Sequence, residues 1–161
     1  MTESLEERVQ RLEDQRAIQE VIYSFSWGTD QNRREMFLDV FTEDGILHFK
    51  PSLGLQKNSL PSEPIIGRDQ LIAFYERRQR GQDPWPKHVN VNAIIRVDGD
   101  EATAESVIIF FLERGAVPEL VSTGRYLDKL RRCADGKWRI AHRIGDVDSL
   151  KTSAFSIATG R

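Results

Sequence analysis

Cysteine is almost missing from this chain: Cys133 is the only one in 161 residues. An intrachain disulfide and a CxxC metal site are therefore excluded. Long apolar runs are missing too, since no stretch approaches the roughly 18 to 20 residues that span a bilayer. The opening Met1-Thr2-Glu3-Ser4-Leu5-Glu6-Glu7 is acidic where a secretory signal would be apolar. Neither sign of charge dominates: 23 Lys and Arg stand against 25 Asp and Glu, interspersed, for a net charge of −2. Such a surface builds no field that would draw nucleic acid or an anionic membrane. One dense basic run, Arg77-Arg78 with Arg80, ends a helical segment, where it is expected to complement the helix C-terminus. GxGxxG, GxxxxGK and HExxH spacings are also missing, so neither a nucleotide nor a metal is expected. These absences predict a soluble, cytoplasmic protein, one domain over residues 1–161 with 150–161 as a tail, and no cofactor.

What is present is strong periodicity. Leu5, Val9, Leu12, Ile18, Val21, Ile22 and Phe25 recur at three- and four-residue steps, predicting a long amphipathic helix whose end Gly28 and Thr29 loosen. A short second helix has Met36, Phe37, Val40 and Phe41 as its apolar face. Thr42-Glu43-Asp44-Gly45 is expected to break it before a strand at Ile46-Leu47-His48-Phe49. Residues 51–64 hold Pro51, Gly54, Pro61 and Pro64 and read as a lid or binding loop. Arg68 to Arg80 predicts a third helix with Leu71, Ile72, Phe74 and Tyr75 inward, ended by Gly81-Gln82-Asp83-Pro84. Strand patterns then follow at 89–97, 102–112, 120–131 and 137–147, with tight turns at Asp98-Gly99-Asp100 and Ala134-Asp135-Gly136. The expected class is α+β: three helices on a strongly curved, mixed but mostly antiparallel sheet, a cone-shaped barrel with a pocket inside.

Two residues in this pattern can do chemistry together. His88 heads the run His88-Val89-Asn90-Val91-Asn92, and Asp30 closes the first helix. A carboxylate held against an imidazole fixes its tautomer and makes the outer nitrogen a better proton acceptor. Tyr23, Trp27 and Asp30 fall at i, i+4 and i+7, so they share a helix face expected to look into the pocket. His142 and Arg143 are neighbours on a strand, so only one can point inward, and Arg143 is the expected one.

Several stretches resemble SnoaL-like domains of the nuclear transport factor 2-like superfamily. They are Gln15-Arg16-Ala17-Ile18-Gln19-Glu20 through Tyr23 to Asp30, Phe41-Thr42-Glu43-Asp44-Gly45, and His88 followed by Asn92. Val97-Asp98-Gly99-Asp100-Glu101-Ala102, Gly124-Arg125-Tyr126-Leu127-Asp128 and Asp135-Gly136-Lys137-Trp138-Arg139-Ile140 with Arg143 continue the likeness over nearly the whole chain. The nearest motifs are those of scytalone dehydratases and hexachlorocyclohexane dehydrochlorinases. That resemblance implies a cofactor-free lyase, dehydratase-like, acting on a small hydrophobic cyclic or polyketide-like substrate. His88 would be the base, Asp30 its orienter, and Arg143 or Tyr126 the group steadying developing charge. Tyr23, Trp27, Phe49, Trp85, Asn92 and Tyr126 form the expected substrate-binding set. Isomerisation, cyclisation or epoxide opening by the same dyad stays open, as does a non-catalytic binding or assembly module.

Val107-Ile108-Ile109-Phe110-Phe111-Leu112 carries no polar alternation, so both of its faces are expected to be covered. The helices cover one, and a second subunit would cover the other. The resemblance implies a trimer slightly ahead of a dimer.

Overall fold

The computed structural model describes residues 3–51, 61–80, 86–114 and 117–150. The elements run α1 (Leu5–Asp30), α2 (Arg34–Asp39), β1 (Phe41–Pro51), β2 (Ile65–Ile66), α3 (Gly67–Arg80), β3 (Pro86–Asp98), β4 (Glu101–Arg114), β5 (Val117–Arg132) and β6 (Trp138–Leu150). The six strands form one sheet in the order β2-β1-β6-β5-β4-β3. Only β1 and β6 pair in parallel; the other neighbours are antiparallel. Three helices on a mixed sheet is the expected α+β architecture, with the two-residue β2 adding a sixth strand to the five that the pattern predicts.

Helix α1 starts at a capping box, in which Ser4 and Glu7 exchange side-chain and backbone hydrogen bonds at 2.7 and 3.1 Å. Its apolar stripe is split. Ile18, Ile22 and Phe25 are buried, whereas Leu5, Val9 and Leu12 are exposed, so the first three turns contribute nothing to the core. Burial begins at Asp14, whose carboxylate accepts from Trp138 Nε1 at 3.0 Å and from Arg132 Nη2 at 2.7 Å. This clamp ties the middle of α1 to the far ends of β5 and β6.

Gly28 does not loosen the helix, which continues to Asp30. It lets α2 cross at contact distance, for a Cβ there would sit 2.6 Å from the backbone nitrogen of Phe37. The expected break at Thr42–Gly45 is also corrected. Strand β1 already starts at Phe41, which pairs with Ile140, and the pairing is irregular between Phe41 and Ile46. The Ile140 N–H donates to the Val40 carbonyl at 2.8 Å, so sheet pairing overrides the local turn propensity.

The core lies between the helices and the concave face of the sheet. Phe25, Phe37, Phe41, Phe74, Tyr75 and Tyr126 are buried there. Their rings meet at spacings such as 5.5 Å for Phe25–Tyr126 and 4.9 Å for Phe37–Tyr75. Along β4 the two faces do differ: Ala102, Ala104, Ser106 and Ile108 are buried, while Val107, Ile109 and Phe111 on the other face are only partly covered.

Candidate functional site

Asp30 ends α1 and turns inward, so a carboxylate is delivered to the rim of the core without a mobile tether. His88 lies on β3, and the two residues, 58 positions apart, meet twice. Asp30 Oδ1 lies 2.5 Å from His88 Nδ1, and Asp30 Oδ2 accepts the His88 backbone N–H at 2.7 Å. The backbone bond holds the carboxylate in place while the other oxygen claims Nδ1, leaving Nε2 as the basic nitrogen. Phe110, directly opposite on β4, packs on the imidazole with centroids 4.5 Å apart. Burial pushes the His88 imidazole below the usual histidine value, against the pull of Asp30, and Arg78 and Arg143 push the same way. The ring is therefore neutral at neutral pH, as a proton acceptor must be.

His88 forms part of a chamber walled by Phe25, Thr29, Phe37, Phe49, Phe74, Tyr75, Arg78 and Tyr126. His88 belongs to that wall and Asp30 does not. The chamber's volume is about 20 Å³, room for one water-sized group, so a ring-sized substrate requires its side chains to move. Gly145 gives the Phe49 ring its place in that wall, since a Cβ there would come within 2.9 Å of it.

Tyr126 is buried, and burial pushes its hydroxyl up to about 12, so it remains a proton-bearing donor at neutral pH. Arg143 does point inward, helped by an irregularity between β5 and β6 at Lys129/Leu130. It is not a free cation, however. Its Nε and Nη2 donate to the two oxygens of Asp128, both at 2.7 Å, with both side chains fully buried. Its guanidinium is sandwiched between Phe25 and Tyr126 at 4.4 and 4.3 Å. A cation already neutralised by a bidentate carboxylate has little left for a leaving group. Asp128 is the partner that sequence reasoning missed, and Arg143 Nη1 stays buried without a hydrogen-bond partner among the described residues.

Arg78 is the second omission. In the run Arg77-Arg78, Arg77 is exposed, but Arg78 turns into the chamber and lies over Phe74, 5.9 Å from its centroid. The helical spacing held a clue, because Arg78 stands four residues after Phe74, on the buried face of α3.

Other expected pocket residues lie elsewhere. Tyr23 and Trp27 are 40% and 55% exposed and line an outer groove of about 260 Å³ with Ser26, Lys87 and Asn90, which reaches Asp30 and His88 from the flank. The three residues do share one helix face, since all line this groove, but the face looks onto the groove and not into the chamber. Asn92 is exposed with φ of 55°, at the register shift between Val91 and Ile94, so it shapes a β-bulge and takes no place in the chamber. The bulge reverses the strand's facing, so that Ala93, Ile95 and Val97 pack on the core after it. Phe49 lines the chamber as expected. Trp85 lies outside the described residues, as does most of the 51–64 loop. Asn90, on the same face as His88, donates through Nδ2 to Ser26 Oγ and joins β3 to α1 a second time.

The fold and the order of motifs agree with comparisons to known proteins. The family model of the SnoaL-like domain matches residues 10–144. A Mycobacterium tuberculosis protein of unknown function is similar in structure at TM-score 0.74 and 26% identity, over 88% of this chain and 75% of that one. An NTF2-like protein with a cystatin-like fold from Novosphingobium aromaticivorans gives 0.73 and 21% identity over 91% and 92% of the two chains. A candidate scytalone dehydratase from the same organism gives 0.68 and 22% over 94% and 97%. A comparison with curated protein sequences returned no significant match. With the family model spanning most of its length, the chain belongs to the SnoaL-like domain family.

Proposed function

We propose that this chain is a cofactor-free lyase that removes water from a small cyclic or polyketide-like molecule. The observation that carries the reading is the Asp30–His88 pair: a short, largely buried contact, doubly anchored, at the edge of a chamber that also holds Thr29, Tyr75, Arg78 and Tyr126. His88 Nε2 would take a proton from the carbon beside a carbonyl. A double bond forms as the hydroxyl leaves, and the protonated imidazole hands its proton to that hydroxyl. Substrate then equals product plus water, and His88 ends neutral. Tyr126, as a hydrogen-bond donor, would steady the charge that develops on the carbonyl oxygen. The structural likeness to a candidate scytalone dehydratase supports the same chemistry. We extend the proposal to assembly: a homo-oligomer, trimer ahead of dimer, that covers the outer face of β4.

The small chamber favours one other reading, a binding or assembly module in which the dyad is structural. A panel of cyclic β-hydroxy ketones incubated in D2O separates the two. The lyase should release water from at least one member, seen by mass spectrometry, and His88→Gln should not. A panel in which neither dehydration nor exchange of the acidic C–H exceeds the His88→Gln background would leave the binding module standing.

A further inference from the structure

Arg78 carries more than a place in the chamber wall. No ion pair of Arg78 exists among the described residues, and its close neighbours there are aromatic rings, Phe74 first. The other inward-facing arginine, Arg143, has its charge paired with Asp128 through Nε and Nη2. A guanidinium that lines an apolar chamber with no carboxylate in ion-pair contact among the described residues, Asp30 acting on it only through space, is costly to desolvate and favours an arriving anion. Its planar fork fits a carboxylate in two-point contact. Tyr126, on the same wall, has no hydrogen-bond partner among the described residues and offers a further donor. Arg78 also acts electrostatically on Asp30, Tyr126 and His88, which places its charge beside the proton-transfer pair.

We propose that the site selects anionic ligands, with Arg78 gripping a carboxylate in the chamber while Tyr126 stays on the carbonyl of the same substrate. Substrates would then be carboxylated cyclic compounds, and Arg78 the residue that sets this specificity. The inference rests on the lyase reading for the position of the reacting carbon, but its test reads binding alone.

Benzoate and benzamide make the comparison, since they share shape and differ in charge. In calorimetric titrations the wild-type protein should bind benzoate more tightly by about tenfold or more, the range of one charge-assisted contact. Arg78→Met should abolish that preference, and Arg78→Lys should keep part of it. His88→Gln should retain it, so a failed dyad and a failed anion site give different results. Melting curves of each variant confirm that it is folded, and Arg78→Gln replaces Arg78→Met if the latter is not. Equal affinity for the two ligands, no binding of either, or an unchanged preference in Arg78→Met would overturn the proposal.

Discussion

His88 sets the pH behaviour of the site. Its proton affinity is lowered by burial, so activity should be full above the ordinary histidine value and fall along an acid limb below about 6.5. The effect on stability has the same sign. A histidine that folds with a depressed pKa contributes fully above its unfolded value, and its contribution is lost as pH falls from there through the folded value. Urea denaturation should therefore show a stability advantage of wild type over His88→Gln that shrinks between pH 7 and pH 5. Asp30→Asn should cost activity roughly 10²-fold or more, because an amide that donates to Nδ1 imposes the wrong tautomer. An unchanged rate in Asp30→Asn would remove the orienting role. The buried Arg143–Asp128 pair makes the opposite kind of statement. Arg143→Met should cost about 3 to 5 kcal/mol, because Asp128 is left charged and alone, while Arg143→Met with Asp128→Leu should recover most of it. If the single variant melts like wild type, the pair is not a structural unit.

Among the elements, α1 carries the most information. Gly28→Ala should raise helix propensity by up to about 1 kcal/mol in isolation. In the protein it should still destabilise by about 1 to 3 kcal/mol, because the added Cβ meets the α2 backbone, which cannot swing away like a side chain. Denaturant midpoints measure which effect wins. The clamp at Asp14 is the second anchor. Asp14→Ala should cost about 2 kcal/mol by leaving the Trp138 indole N–H without its partner and half of the Arg132 contacts unmade. Arg132 and the other donors hold the Asp14 carboxyl below its usual value, so this contribution is present above pH 4 and is lost as pH falls through the folded value.

For the molecule as a whole, the outer face of the sheet carries the proposed assembly. Val107, Ile109 and Phe111 remain partly exposed on β4, beside exposed Val89 on β3 and Leu120 on β5. Light scattering at micromolar concentration should return a homo-oligomer, and Ile109→Glu should shift it toward monomer while leaving the fold intact. A wild-type monomer would leave this apolar face unexplained. No helix of the described residues is long and apolar enough to cross a membrane.

Periodicity alone determined the number of helices, the long strands and the α+β class, because each element buries one face and writes that requirement into its own residues. Asp30 and His88 were legible as chemical groups, and the motif order brought them together as an expectation. Contact between residues 58 positions apart is a property of packing, and only the tertiary structure could place them 2.5 Å from each other. The structure alone decided which arginine stays unpaired: Arg78 and Arg143 look alike in sequence, yet Asp128, opposite Arg143 across the β5–β6 ladder, neutralises one and not the other. It also decided that Tyr23 and Trp27 lie outside, since a helix shared by core and solvent shows its period but not which edge the sheet will cover. Asn92 looked like a ligand-facing amide until the bulge gave it a left-handed backbone. Local pattern sets what each segment can bury; long-range pairing sets which charges meet, and at this site the second decides the chemistry.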